Sequence, residues 1–184
     1  MRKLGTSERS RPPKPALHEA GLGDVLLRAF NELRDELVST LMYMLGNRED
    51  AQDAAQETFI KCWRTQGSLK GVQNLRAWIF RVGLNTAKDM QRSGWHRRAR
   101  PLVGEEAMSA TSAEMPVEVL ENRETLDRLR QAITTLRHEE KEVFLLRQNG
   151  ELTYEQIAEM RHLPVGTVKT QMRSALQKLK KVLL

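Results

Sequence analysis

The stretch Leu152-Thr153-Tyr154-Glu155-Gln156-Ile157-Ala158-Glu159-Met160, running through Arg161-His162-Leu163-Pro164 into Val165-Gly166-Thr167-Val168-Lys169-Thr170-Gln171-Met172-Arg173-Ser174, decides how the C-terminal part of the chain folds. Thr153 can accept from the backbone N–H three residues on, while Gln156 reaches back to Thr153, the reciprocal pairing that opens a helix. Arg161 to Pro164 make a tight corner, and Pro164 suits a helix start, where its missing N–H costs nothing. In the helix beyond, Val165, Val168, Met172, Ala175, Leu176 and Leu179 fall on one face. At about 100° per residue, Gly166, Thr167, Thr170, Arg173, Ser174 and Gln177 point away from that face, and Lys169 lies on its flank. A helix-turn-helix needs this arrangement, because the first helix braces a second whose small, polar outer face enters the major groove. Lys169 could reach a phosphate and Arg173 a guanine edge. An ordinary helical hairpin with a solvated charged face fits the same pattern.

Outward from this stretch the helical period continues. Leu126, Leu129, Ile133 and Leu136 predict one helix. Glu139 to Asn149, with Val143, Leu145 and Leu146 inward, predicts another, and Gly150 sits where a C-cap belongs. Between Arg100 and Val119 the period lapses into Pro101, Gly104, Glu105, Glu106, Ser109, Thr111, Ser112, Glu114 and Pro116, an acidic linker. Upstream, Leu22, Val25, Leu26, Ala29, Phe30, Leu33, Leu37, Leu41, Met44 and Leu45 mark a long amphipathic helix that Gly46 and Asn47 stop. A second helix, Asp50 to Arg64, has Asn47 or Asp50 as its cap. It buries Ala51, Ala55, Phe59, Cys62 and Trp63 and shows Gln52, Asp53, Gln56, Glu57 and Lys61 on its other side. Gln66 to Asn74 reads as a loop, and Leu75 to Arg98 as a third helix with Trp78, Ile79 and Val82 inward. No segment alternates with the period of a half-buried strand, so the expected class is all-α: two small helical domains over residues 22–100 and 120–184. A basic, disordered tail over 1–21 and a flexible linker over 101–119 complete the expected organisation.

Composition narrows the function classes. The 184 residues carry a formal charge of +6, which suits an acidic partner such as nucleic acid without requiring one. Charged residues make up 29% of the chain and no apolar run approaches a membrane span, so a cytoplasmic protein is the plain reading. Cys62 is the only cysteine, and His18, His96, His138 and His162 stand far apart, so neither a disulfide nor a structural zinc site is expected. No nucleophile–base pair or phosphate-cradling glycine loop appears, which argues against an enzyme and against any cofactor.

The segment Tyr154-Glu155-Gln156-Ile157-Ala158, followed by Pro164-Val165-Gly166-Thr167-Val168-Lys169-Thr170, closely resembles region 4 of extracytoplasmic-function sigma factors of the sigma-70 family. Leu136, Glu140, Val143, Phe144, Leu145 and Leu146 match the helix before it. Asp50-Ala51-Gln52-Asp53-Ala54-Ala55-Gln56-Glu57-Thr58-Phe59, and Trp78-Ile79-Phe80-Arg81-Val82 with Asn85 and Asp89, resemble region 2 of the same family. Both motifs occur in order and the match spans nearly everything except tail and linker.

The resemblance implies that the chain binds core RNA polymerase, at the clamp coiled coil and the flap, and recognises the −35 and −10 promoter elements. An anti-sigma factor is a usual partner of the family. Asp53, Gln56 and Glu57 become candidate polymerase contacts. Ser68, Lys70 and Asn74 on the loop, with Arg81, Asn85, Lys88, Arg92, Arg97 and Arg98, become candidate contacts to the −10 element, the loop holding a base flipped from the non-template strand. Gly166, Thr167, Lys169, Thr170, Gln171, Arg173 and Ser174 become candidate contacts to the −35 element. Gln171 and Ser174 depart from the family, which often has basic residues there. Trp78 is better read as core than as a stacking platform, because it lies on the apolar stripe. Trp95 fits either stacking on a base or resting on the surface, among Arg92, His96, Arg97, Arg98 and Arg100. The alternative is a one-component helix-turn-helix regulator, but such a protein needs one DNA-binding surface per chain, and this chain has a second basic surface.

Overall fold

In the computed structural model, residues 21–93 and 117–183 are described, and their helix boundaries follow from local caps. Helix α1 spans Leu22–Leu45 and ends at Gly46, whose φ of 88° is left-handed and whose N–H bonds Met42 O. Helix α2 spans Arg48–Arg64, with the Asn47 side chain accepting from the Asp50 N–H at 2.7 Å. The Gln66 to Asn74 segment, expected as a loop, contains a short 3₁₀ helix over Gln66–Gly71, because buried Leu69 pins it to the core. Helix α3 spans Leu75–Arg92, capped by Asn74 Oδ1 accepting from Ala77 N–H at 2.9 Å. Its expected continuation to Arg98 lies outside the described residues.

These three helices pack on one another around Leu26, Leu33, Leu37, Leu41, Ile79, Phe80 and Leu84. Small residues set their separation. A Cβ on Gly83 of α3 would come within 2.8 Å of Leu37 Cδ1, and Ala51, Ala54 and Ala55 are buried on α2. Lys61 ties α2 to α3 by donating to Thr86 Oγ1 at 3.1 Å, and Gln91 Nε2 donates to Met44 O, closing the end of α1.

The second body comprises α4 (Val117–Thr135), α5 (His138–Gln148), α6 (Tyr154–Arg161) and α7 (Val165–Leu183). Residues 117–119, assigned to the linker by the sequence pattern, belong to α4. Ile133, Leu136, Val143, Leu146, Leu152, Ile157, Val168, Met172 and Leu179 form its core. Gly150 has a different job from the one its position suggested. Asn149 is the C-cap, Glu151 takes the left-handed conformation with φ 51°, and Gly150 passes so close to α5 that a Cβ there would lie 2.5 Å from Leu146 O. Backbone cannot yield as a side-chain tip can, so Gly150→Ala should cost on the order of 1–3 kcal/mol. Urea melts of the two proteins check this.

Four apolar residues expected in the core are exposed: Leu22, Trp63, Leu126 and Leu176. Trp63 lies over Gly23 and against Phe59, ring centroids 5.8 Å apart, which covers one side of the indole and leaves it 42% exposed. Leu176 loses the inner position to its neighbour Ala175. Leu126 sits more than a turn before Ala132 and Ile133, the first buried side chains among the described residues of α4, and Leu22 is the first residue of α1.

The two bodies touch. Asn149 Nδ2 donates to Thr40 Oγ1 at 3.1 Å, Arg76 Nη1 meets Glu151 Oε2 at 3.2 Å, and Lys88 Nζ meets Glu142 Oε1 at 3.0 Å. The fold is all-α, with no strand among the described residues. No described helix is long and apolar enough to cross a membrane.

Candidate nucleic-acid interface

The helix-turn-helix is built as its sequence dictates. Thr153 N–H donates to Gln156 Oε1 at 2.8 Å and Gln156 N–H to Thr153 Oγ1 at 3.2 Å, so two of the four orphan donors at the start of α6 are satisfied. His162, with φ 54°, closes α6 in the left-handed conformation, and Leu163 N–H bonds Ala158 O at 2.9 Å. Pro164 O then accepts from Thr167 N–H at 2.9 Å, launching α7. Val168, Met172, Ala175 and Leu179 bury one seam of α7 against α4, α5 and α6.

Of the α7 candidates, Gly166, Lys169, Thr170 and Arg173 are exposed and Thr167 is half-buried on the same outer side. Thr170 Oγ1 donates to Gly166 O at 2.9 Å, so its hydroxyl proton is spent within the helix. Lys169 Nζ stands 6.0 Å from the Tyr154 ring centroid, and the Arg147 guanidinium 5.6 Å from the same ring, so two cations flank this aromatic. Gln171 and Ser174 turn inward. Gln171 Oε1 accepts from Arg161 Nη1 at 3.1 Å, and Ser174 Oγ donates to Glu140 Oε1 at 2.7 Å. These two polar side chains brace the helix against its scaffold.

Glu140 is the centre of that brace. It is buried and takes two contacts from Lys178 Nζ, at 2.8 and 2.6 Å, one from Ser174, and one from the Arg137 N–H at 3.1 Å. Burial alone would raise its pKa, but the hydrogen bonds from Lys178, Ser174 and Arg137 outweigh burial and hold it below its ordinary value of 4.5. A depressed carboxylate pKa stabilises the fold above the unfolded value and loses that contribution as pH falls through the folded one. Glu140→Gln should therefore flatten the acid limb of the stability curve below pH 4.5. Chemical melts from pH 7 down to pH 3 (roughly the range over which carboxylates titrate) check it, an unchanged acid limb counting against the brace.

On α3, Arg81, Asn85, Lys88 and Arg92 recur at intervals of four, three and four residues and so share one face. Arg81, Asn85 and Arg92 are exposed, while Lys88 is half-buried against Glu142 of α5. Ser68 and Lys70 are exposed on the 3₁₀ turn, and the oxygen of Asn74 is occupied by the cap of α3. Trp78 is half-buried and packed on the core, as its stripe position implies. Arg97 and Arg98, with Trp95, His96 and Arg100, lie outside the described residues.

On α2, Asp53 and Gln56 are exposed and Glu57 is half-buried. Ile60, which the helical pattern alone does not mark out, is 40% exposed one turn beyond Gln56. Its signal was an isoleucine on the polar side of the wheel. Cys62 lies buried behind this face, its thiol pushed up to about 12 by burial. Among the described residues no group of three His, Cys, Asp or Glu side chains could hold a metal ion.

Comparison with known proteins agrees with this geometry. The family model described as Sigma-70 region 2 matches residues 29–97, and that described as Sigma-70, region 4 matches residues 126–179. The chain is 26% identical over 152 residues to the RNA polymerase sigma factor YlaC of Bacillus subtilis, covering 83% of this chain and 88% of that protein. It is 30% identical to the ECF RNA polymerase sigma-E factor of Haemophilus influenzae, covering 78% and 81%. Among solved structures it resembles the sigma factor RpoE in complex with the anti-sigma factor NepR from Bartonella quintana. That match has a TM-score of 0.67 at 20% identity and covers 86% of this chain and 96% of that one. It also resembles CnrH in complex with the cytosolic domain of CnrY, with a TM-score of 0.61 at 22% identity, covering 88% and 94%.

Proposed function

The chain belongs to the sigma-70 family of RNA polymerase sigma factors, in its extracytoplasmic-function group, and from that premise we propose which of its surfaces does what. As a sigma factor it binds core RNA polymerase, recognises −35 and −10 promoter elements and promotes transcription initiation. Its own chemistry is recognition and strand capture in the cytoplasm, with catalysis left to the polymerase.

The exposed face of α7, Gly166, Thr167, Lys169, Thr170 and Arg173, reads the −35 element, while Gln171 and Ser174 hold the helix in place. Arg81, Asn85, Lys88 and Arg92 on α3, with Ser68, Lys70 and Asn74 at its N-terminal end, meet the −10 element. The arginines of that row suit phosphates, which position without reading sequence, and the Asn85 amide can donate to and accept from a base edge. Asp53, Gln56 and Glu57 on α2 meet the polymerase clamp. The observation that carries this division is the row on α3: a second basic, polar face on a body separate from the helix-turn-helix, which a one-component regulator has no use for. The solved relatives held by anti-sigma factors support a partner of that kind for this chain.

Replacing both Gln56 and Glu57 with Ala tests the polymerase face, because neither lies in the buried seam of α2. Helical content should be unchanged and core binding weakened about tenfold, the equivalent of roughly 1.4 kcal/mol. Circular dichroism and a titration with core polymerase measure the two. Core binding equal to wild type would show that α2 docks elsewhere.

A further inference from the structure

The recognition helix is held differently along its length. Toward its C-terminal end Glu140 takes hydrogen bonds from both Ser174 and Lys178, so the loss of one leaves the other. The half that carries Thr167, Lys169, Thr170 and Arg173 rests on Val168 and Met172, an apolar seam that attracts without direction. Among the described residues, the hydrogen bond that ties this half to another helix runs from Arg161 Nη1 of α6 to Gln171 Oε1, at 3.1 Å.

Arg161 is itself anchored. Its side chain is only 13% exposed, and its Nη2 stands 3.3 Å from Glu142 Oε2 of α5. Glu142 is buried, and that oxygen has no hydrogen bond of its own. Lys88 takes the other oxygen, and His138 Nε2 lies farther from Oε2, at 3.8 Å. Breaking the pair would leave a buried charge uncompensated, so Glu142 fixes Arg161 and Arg161 fixes Gln171.

We propose that Arg161 is a positioning residue for −35 recognition: held by Glu142, it sets through Gln171 the rotation of α7 about its seam, and with it the aim of the outer side chains. The inference rests on the reading of α7 as the −35 face. Arg161 itself touches no base.

Small rotations matter here. A side chain that recognises a partner must be held within about 0.5 Å and 10–20°. Turning a helix by about 10° swings a side-chain tip, some 5–6 Å from the axis, through roughly 1 Å. A guanidinium suits the task, because two nitrogens in one rigid plane face Gln171 and Glu142 at once, whereas an ammonium is a single point.

Arg161→Lys therefore separates positioning from stability: it keeps a charge for Glu142 and gives up the fork. Its urea midpoint should stay close to wild type. In holoenzyme it should lose at least about fivefold of the preference for a matched −35 template over one altered at a single base, the lower end of what one bidentate base contact supplies. Gln171→Met, which leaves Glu142 paired, should lose as much, and carries the test if Arg161→Lys proves unstable. The double variant should lose no more than either alone, since one contact is removed in all three. An unchanged preference, or losses that add, would overturn the positioning role. NMR of the full chain reads the clasp directly: the Arg161 guanidinium N–H signals should shift in Gln171→Met, and signals indifferent to it would show that no clasp exists. Arg173→Ala scores the reading of α7 separately. If it leaves every template unaffected, that reading fails; if it acts while Arg161→Lys and Gln171→Met do not, only the positioning role fails.

Discussion

Phe80→Ala should unfold the N-terminal body. The side chain of Phe80 on α3 is wholly buried, and truncating such a ring costs about 3–5 kcal/mol. A whole domain is stable by only about 5–15 kcal/mol, and one with three helices sits toward the lower end. Leu37, Ile79 and Leu84, also buried, cannot collapse into the space without moving helices that Gly83 already holds at close approach. The effect should be local in sequence terms. The helix-turn-helix body has its own core, so a melt followed by circular dichroism should lose the first three helices and keep α5 to α7. Trp63→Ala is the control, because a larger ring with 42% exposure should cost less than Phe80. An unshifted melt for Phe80→Ala would mean that α3 does not pack as described.

Much of this core was legible because a helix repeats every 3.6 residues and the chain keeps that repeat from Leu26 to Leu45 and from Val165 to Leu179. Caps were legible for the same local reason: Thr153 and Gln156, or Asn47 and Asp50, lie within one turn. What failed was anything set by the far side of a contact. A helical wheel ranks positions against one another but does not say how much a neighbour covers, so it puts Trp63 and Leu176 inside and gives no weight to Ile60. Ser174 points outward on a wheel drawn from α7 alone. Its partner Glu140 lies 34 residues back, and only packing of α5 on α7 turns the hydroxyl inward. Lys88 and Glu142 are 54 residues apart in different bodies, beyond any local pattern. The resemblance to region 4 likewise covers Gln171 and Ser174 without registering that their side chains support the helix here.

That difference between support and reading gives the sharpest test of the recognition helix. Arg173 is exposed on the outer face of α7, whose buried seam holds Met172 and Ala175 on either side of it. If it pairs with a base edge, Arg173→Ala costs about 1–3 kcal/mol at the preferred −35 sequence, a loss of roughly 5- to 150-fold, and little at templates altered at that position. The fold should be untouched, since Arg173 makes no contribution to the seam. Ser174→Ala, one residue on, should behave in the opposite way. It removes a hydrogen bond to buried Glu140, which lowers stability by about 1 kcal/mol. Its loss of binding, if any, should be equal on every template, because nothing that touches DNA has changed. Holoenzyme affinities on templates varied in one −35 position, with a melt of each protein, separate the two. If Arg173→Ala weakens all templates alike, Arg173 holds a phosphate and reads no base, and selectivity must then reside in Thr167, Lys169 and Thr170.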